Sequence, residues 1–284
     1  MLFYKSKLLS YRNTSMLDKY LNHKYSDEDL KNLKKEYINN KPFPHISLKN
    51  FFKYDVISDV ANNFPDLREQ NSYKKNDINE KKFVLKNTDL FPKNVKDLIL
   101  FLNSQIFLDF LNKITDVKEP LLADEKLYGG GLHQSYRGGY LKVHSDYYKH
   151  PASKLDRRIN LLIYLSKDWK ESYGGGLELW NKDMSRCEKK IFPTINNICI
   201  FSTNSKSYHG FADPITCPES YSRNSIAMYY YTDGRSDDDA IYRTKNTTNW
   251  KKRPSGDIVS NDYSIKDYLR RIPYLKKIKD FLKK

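Results

Sequence analysis

Apolar and polar residues alternate over several short segments in the second half of the chain, and turn-forming residues separate these segments. A period of two is typical of β-strands, because successive side chains point to opposite faces of a sheet. Segment 158–165 is apolar at most positions, which predicts a strand buried on both faces. The other predicted strands are 140–143, 177–180, 197–201 and 225–231. Short strands joined by turns predict a β-sandwich or jelly roll.

Helical patterns are confined mainly to the first half of the chain. Segment 26–29, a serine followed by three acids, predicts a helix start because serine caps the free N–H groups and acids suit the helix dipole. Segments 55–64 and 93–116 predict helices, whereas the polar and charged segment 66–88 predicts a solvated loop. We therefore expect an α+β protein with a mainly β core and packing helices from the N-terminal half.

Three regions are predicted from these patterns. They are an N-terminal helical extension at 1–40, a β domain at 41–233 and a basic C-terminal extension at 234–284.

Composition describes a globular chain, with 39% hydrophobic and 14% aromatic residues. The formal net charge of +15 suggests polyanions, acidic substrates or anionic membrane surfaces as partners, although a coding bias toward lysine explains it equally well. Nucleic-acid binding is not favoured, because no Arg/Gly-rich tract or zinc-finger spacing occurs. Segment 234–284 holds fourteen Lys/Arg and seven Asp/Glu, so it either packs as an amphipathic helix (265–282) or docks to an acidic partner.

The cysteines and the longest apolar runs bear on the compartment. Cys187, Cys199 and Cys217 show no paired spacing, which fits a reducing environment better than a disulfide framework. The sequence has no apolar run of about 18 residues and no signal-peptide pattern. We expect a cytoplasmic protein without a membrane span.

A candidate metal site begins with His144 and Asp146, which are separated by one residue on a predicted strand. Alternation directs both side chains to one face of the sheet. With His209 they make two imidazoles and one carboxylate, the ligand set typical of a non-heme Fe(II) oxygenase. Taken alone, the first pair is as well explained by a surface turn, and His209 by a core histidine. The strands around them favour the metal site.

Residues 128–233 resemble the catalytic core of the dioxygenases that depend on 2-oxoglutarate and Fe(II), specifically the prolyl-4-hydroxylase-like branch. The matching segments, in order, are 140–146, 162–169, 174–179, 208–210 and 222–227. The resemblance implies a double-stranded β-helix (jelly roll or cupin-like) core. It also implies Fe(II), 2-oxoglutarate and O2 as cofactors, with ascorbate as a candidate reductant.

The same resemblance implies the site residues. The implied iron ligands are His144, Asp146 and His209. Arg223 corresponds to the arginine that pairs with the distal carboxylate of 2-oxoglutarate, a task that suits the planar guanidinium. Tyr164 and Tyr136 correspond to tyrosines of the cosubstrate pocket, with core packing as the alternative for Tyr136. The candidate substrate contacts are Arg137, Tyr140 and Tyr229, with core packing as the alternative for Tyr229. His133 and His150 fall outside this frame and are not expected to bind the metal.

By this resemblance the protein hydroxylates an unactivated C–H bond and releases succinate and CO2. A prolyl residue of a peptide or protein is the implied substrate. One alternative is hydroxylation of a small molecule, such as a sugar or amino-acid derivative. Others are a non-catalytic metal-binding module of the same fold and a cupin-like metalloprotein with a different reaction.

Overall fold

The computed structural model describes residues 16–237 and 246–260. Thirteen strands form one sheet, which curls into a nearly closed, barrel-like jelly roll with a few helices. This confirms the predicted fold class. The helices are α1 (Asp27–Asn39), α2 (Tyr54–Asn62), α3 (Lys93–Leu102) and α4 (Gln105–Ile114), with 3-10 turns at Thr88–Leu90 and Glu171–Tyr173.

The strands follow the predicted segments closely in the second half of the chain. They are β1 (His45–Lys49), β2 (Tyr73–Asn76), β3 (Glu80–Leu85), β4 (Leu122–Ala123), β5 (Gly131–Ser135), β6 (Tyr140–Ser145), β7 (Asp156–Tyr164), β8 (Leu177–Trp180), β9 (Cys187–Ile191), β10 (Asn197–Ser202), β11 (Tyr208–Phe211), β12 (Arg223–Thr232) and β13 (Asn249–Trp250). Neighbours run in the order β1-β10-β7-β12-β5-β3-β6-β11-β8-β9, with β13 on β6, β2 on β3 and β4 on β12.

Helix α1 begins at the predicted cap. The Asp29 N–H donates to Ser26 Oγ at 3.1 Å, and the Ser26 N–H donates to Asp29 Oδ2 at 2.8 Å, which completes a capping box. Tyr37, in the last half of the helix, is fully buried, and its hydroxyl lies 2.7 Å from Ser202 Oγ of β10. The helix is therefore packed onto the sheet through a buried aromatic side chain.

The main hydrophobic core lies between the helices and one face of the sheet. On β7, Ile159, Leu161 and Ile163 belong to this core, whereas Asn160 and Leu162 face a cavity on the other side. Because side chains alternate along a strand, β7 contributes one set of residues to the hydrophobic core and the other set to the wall of the cavity. This division positions polar side chains inside the barrel.

One element was predicted wrongly. Segment 66–88 contains the β2–β3 hairpin, and β3 pairs with both β5 and β6. The lysines of this hairpin gave the segment the composition of a solvated loop. Strands can contain these lysines because one face of the hairpin lines the cavity, where charged side chains are not packed against apolar ones.

Two further expectations concern the end of the chain and the membrane. The amphipathic pattern at 265–282 lies outside the described residues. None of the helices in the described ranges combines the length and the apolar character that crossing a bilayer requires.

Candidate active site

His144, Asp146 and His209 converge on one point inside the barrel. His144 on β6 lies opposite His209 on β11, and their ring centroids are 4.5 Å apart. Asp146 follows the end of β6, with its carboxylate oxygens 3.5 Å from His144 Nε2 and 3.6 Å from His209 Nε2. One ligand atom from each residue lies within 4.8 Å of the others. The predicted grouping is thus present in the fold.

Backbone hydrogen bonds orient both imidazoles. His144 Nδ1 lies 2.8 Å from the Lys142 carbonyl oxygen, and His209 Nδ1 lies 2.9 Å from the Ser207 carbonyl oxygen. A carbonyl oxygen only accepts hydrogen bonds, so each Nδ1 donates and each Nε2 lone pair is directed to the centre. Burial lowers the pKa of His209 to about 4, which keeps this imidazole in the neutral form that binds metals.

A buried arginine and an asparagine hold the carboxylate of Asp146. Arg157 Nη2 lies 3.0 Å from Asp146 Oδ2, and Asn160 Nδ2 donates to the same oxygen at 2.8 Å. Burial raises the pKa of Asp146, but the charge of Arg157 outweighs it, and with His209 and His144 it holds the pKa well below its usual range. The carboxylate is therefore ionised, as a metal ligand must be.

Arg223, at the start of β12, is a buried cation. Its Nε donates to the Gly175 carbonyl oxygen at 2.8 Å, and within the described ranges no carboxylate pairs with it. The Tyr164 ring centroid lies 5.1 Å from its Cζ, and the buried Tyr164 hydroxyl has no hydrogen-bond partner among these residues. Burial lowers the pKa of Arg223 and raises that of Tyr164. A buried guanidinium without a carboxylate partner, beside a buried hydroxyl without a hydrogen-bond partner, suits an anionic ligand.

Gly175 is the second of three glycines (174–176) before β8, and it lets the backbone approach Arg223 closely. Gly175 has φ +69°, and a Cβ there would lie 3.1 Å from Ile215 Cγ1 and 3.2 Å from Arg223 Cδ. Glycine adopts this backbone region without strain and allows its carbonyl to approach the guanidinium. Gly175 thus helps to position Arg223.

The metal-ligand group and Arg223 open into one cavity of about 490 Å³. Its wall includes Tyr229, whose ring centroid lies 3.5 Å from Arg157 Cζ, so the predicted substrate candidate Tyr229 does line the cavity. His133 also lines it, but neither His133 nor His150 belongs to the metal-ligand group.

Tyr136 is not among the residues that line this cavity. His133 and Ser135 face the cavity, so alternation turns Gln134 and Tyr136 to the other side of the sheet. The Tyr136 hydroxyl donates to Gln134 Oε1 at 2.5 Å and also to Asp66. The structure therefore brings Tyr136 together with the segment before β2 and not with Arg223 and Tyr164.

Arg137 and Tyr140, the other predicted substrate contacts, also lie outside the cavity. Arg137 Nη1 donates to the Thr216 carbonyl oxygen at 2.9 Å. The Tyr140 hydroxyl donates to the Asp77 carbonyl oxygen at 2.6 Å. Leu141 and His144 are three positions apart on β6, but their partners Phe211 and His209 are two positions apart on β11. This bulge places Leu141 and His144 on the same face, toward the cavity. Simple alternation from His144 back to Tyr140 therefore fails.

Several residues of the site had no strong signal in the sequence. Arg157 comes directly before the apolar segment 158–165, and Asn160 lies within it. A polar residue in a segment predicted to be buried is the signal that identifies such a position. Trp250 lines the cavity from segment 246–260, to which no part of the site had been assigned. Arg253 ties this segment to the barrel, with its Nη2 2.7 Å from Asp213 Oδ1 and its Nε 2.7 Å from Asp257 Oδ2.

Residues 131–231 match the sequence model of the 2OG-Fe(II) oxygenase superfamily. The match covers 101 of the 284 residues and includes the metal-ligand group and Arg223. None of the curated protein sequences matches the chain significantly.

Several solved structures share the fold of the barrel. A prolyl-4-hydroxylase from Pseudomonas putida is 13% identical, with a TM-score of 0.50 over 72% of this chain and 100% of that one. A prolyl hydroxylase from Trichoplax adhaerens, solved with a hypoxia inducible factor peptide fragment, is 15% identical, with a TM-score of 0.52 over 77% and 94%. The epimerase SnoN from nogalamycin biosynthesis is 9% identical, with a TM-score of 0.52 over 73% and 84%. At these identities the similarity concerns the fold.

Oxygenases of this superfamily use Fe(II), 2-oxoglutarate and O2. The donor set in the barrel fits an iron site, because it offers two imidazole nitrogens and one carboxylate. Both histidines are buried, and all three side chains are already oriented by hydrogen bonds to their neighbours.

Proposed function

We propose that this oxygenase hydroxylates an unactivated C–H bond, with Fe(II) held by His144, Asp146 and His209. The observation that carries the proposal is the convergence of two Nε2 atoms and an ionised carboxylate inside a cavity that also contains Arg223. When bound, Fe(II) with 2-oxoglutarate and O2 supplies the oxidising chemistry, and 2-oxoglutarate leaves as succinate and CO2.

Arg223 and Tyr164 are proposed to bind the distal carboxylate of 2-oxoglutarate. Both side chains are buried donors, and Arg223 has no carboxylate partner within residues 16–237 and 246–260. A carboxylate accepts hydrogen bonds from a guanidinium and a hydroxyl at once, which would satisfy both groups. The Nε bond to Gly175 fixes the direction in which the guanidinium presents its remaining N–H groups.

Arg157 and Asn160 are proposed to position Asp146. They bond the same oxygen, Oδ2, which restricts rotation of the carboxylate and leaves Oδ1 directed toward His144. The rings of Tyr229 and Trp250 line the cavity beside this group. Such apolar surface limits the access of water to the reacting centre.

For the substrate, we propose a prolyl residue of a peptide or protein. The support is the similarity in fold to two prolyl hydroxylases, one of them solved with a peptide. Tyr73, which lines the cavity, is 66% exposed, so the cavity opens to solvent, as a site for a peptide requires. A small molecule is the second candidate, because a volume of about 490 Å³ is within the usual range of small-molecule sites.

Anaerobic titration of the apoprotein with Fe(II) and 2-oxoglutarate tests the proposal. We expect the weak visible charge-transfer band of the bidentate complex in the wild type and in Asp183→Ala, an exposed aspartate. The band should be lost in Asp146→Ala. A folded wild-type protein without the band would overturn the proposal and favour a non-catalytic binding module. With the band established, a proline-containing peptide that gains one oxygen atom, with matching succinate, supports the prolyl substrate.

A further inference from the structure

The β2–β3 hairpin turns one face to the cavity and the other away from it. The residues on the inner face are Tyr73, Lys75, Glu80, Lys82, Val84 and Lys86. This spacing of two is the alternation of a strand, so Lys74 and Lys81 occupy the opposite face. The hairpin therefore carries two sets of lysines that are close in sequence: one set faces the cavity and the other faces away from it.

Lysines outnumber carboxylates on this inner face. Glu80 lies between two of them, 3.2 Å from Lys75 Nζ and 3.1 Å from Lys82 Nζ, so one negative charge is shared by two positive charges. Lys86 Nζ lies 5.8 Å from the Tyr128 ring centroid, and no carboxylate in the described part of the chain pairs with it. The inner face of the hairpin thus retains unbalanced positive charge.

The charge of the whole cavity supports the same conclusion. Its lining contains five cationic side chains and two carboxylates, a net charge of +3. Fe(II) and the 2-oxoglutarate dianion cancel each other, so the lining stays at +3 when both are bound. A concave wall of one sign raises the local concentration of ligands of the opposite sign.

A neutral polar atom lies in the same wall. His133 pairs with Val84 of β3 and with Ser225 of β12, and its buried Nε2 has no hydrogen-bond partner among the described residues. A buried polar atom without a hydrogen-bond partner carries an energetic cost. A polar ligand in the cavity would remove this cost.

We propose that the substrate carries an anionic group, a phosphate or a carboxylate, which Lys82 and Lys86 bind on the inner face of the hairpin. His133 Nε2 binds a polar group of the same molecule. This inference rests on the proposed function, because the anion belongs to the molecule that is hydroxylated. It narrows the substrate class from any molecule with a C–H bond to one that is negatively charged.

Inorganic phosphate is the probe for the first test. The protein is loaded with Mn(II) and 2-oxoglutarate, free Mn(II) is removed, and phosphate binding is followed by the enhanced relaxation of its ³¹P signal. We expect saturable binding that weakens at least about tenfold in the double variant Lys82→Ala/Lys86→Ala. The matched control Lys74→Ala/Lys81→Ala removes the same charge from the opposite face and should bind like the wild type.

The single variant Lys86→Ala provides a second test in case the double variant does not fold. Lys86 is exposed, so its replacement should leave the fold intact. It should weaken phosphate binding several-fold. Absence of phosphate binding in the wild type, or equal weakening in the Lys74/Lys81 control, would overturn the inference.

Matched peptides then distinguish the source of the anion. The probes are acetyl-Gly-Pro-Glu-amide and acetyl-Gly-Pro-Gln-amide, each competed against phosphate. Selective displacement by the glutamate peptide assigns the anion to an acidic peptide, and displacement by neither assigns it to a small molecule. Equal displacement by both would contradict recognition by charge.

The failure of this inference and the failure of the proposed function give different results. The charge-transfer band of wild-type protein with Fe(II) and 2-oxoglutarate reports the proposed function. A band without phosphate binding would overturn only the anionic substrate. Phosphate binding without a band would overturn the oxygenase reaction and leave an anion-binding cavity.

Discussion

Trp250 of β13 lies opposite His144 of β6, and their ring centroids are 4.8 Å apart. The tryptophan comes from outside residues 131–231, which match the superfamily. Arg253 anchors the segment through Asp213 and Asp257. One proposed iron ligand is therefore packed against a side chain that the superfamily pattern does not contain.

Replacing Trp250 should weaken metal binding. Trp250→Ala removes the ring that packs on the His144 imidazole, and loss of such outer support costs about 10-fold or more in metal affinity. Trp250→Phe keeps an aromatic ring and should retain most of the affinity. Competition with a chelator for Mn(II) measures both. Equal affinity in Trp250→Ala and wild type would mean that the segment only covers the barrel.

Arg157 should stabilise the metal-free protein more than the loaded one. Arg157→Gln leaves the Asp146 carboxylate buried without its counter-charge, which costs about 3–5 kcal/mol in the apoprotein. A divalent ion replaces that counter-charge, so Mn(II) should raise the melting temperature of Arg157→Gln more than that of the wild type.

Thermal unfolding with and without Mn(II) tests this expectation, and Arg158→Gln is the matched control. Arg158 is also buried but pairs with Glu119, 2.6 Å away and outside the cavity lining. Its loss should destabilise both forms equally. A metal-induced shift of the same size in both variants would contradict the role given to Arg157.

Tyr164→Phe should have opposite effects on stability and on cosubstrate binding. Its hydroxyl is buried without a partner, so its removal should stabilise the apoprotein by about 1 kcal/mol or more. The same hydroxyl is proposed to donate to 2-oxoglutarate, and loss of a hydrogen bond to a charged group should raise the Kd about 10-fold. Apoprotein melting and 2-oxoglutarate titration measure the two effects. Unchanged 2-oxoglutarate affinity would assign Tyr164 to packing alone.

Glu80 should make stability depend on pH in the acid range. Burial raises its pKa, but Lys82 and Lys75 outweigh this and lower it from 4.5 to about 2. The carboxylate therefore stabilises the fold above pH 4.5, and this contribution is lost as pH falls toward 2. Glu80→Gln should be less stable than the wild type at pH 7 by up to about 3 kcal/mol.

Chemical denaturation across this range measures the effect. The difference between wild type and Glu80→Gln should shrink between pH 4.5 and 2. Glu125→Gln, at an exposed position, is the control and should follow the wild type. A difference that stays constant with pH would show that Glu80 acts through shape and not through charge.

Local sequence patterns determined the strands and the metal-ligand group. His144 and Asp146 share a face because a strand repeats every two residues, and this local rule needs no knowledge of the neighbouring strands. The strands at 197–201 and 225–231 were predictable for the same reason, since their apolar residues form short runs bounded by turn formers.

The tertiary structure alone decided which other side chains reach the cavity. The bulge in β6 depends on its register with β11, so Tyr140 lies outside although it precedes the ligands on the same strand. Segment 66–88 has the composition of a loop, and only the pairing of β3 with β5 brings its lysines into the cavity wall that contains His133. Trp250 reaches His144 across more than a hundred residues of chain. Such contacts depend on how distant segments pair, and the pattern of one segment carries no information about that pairing.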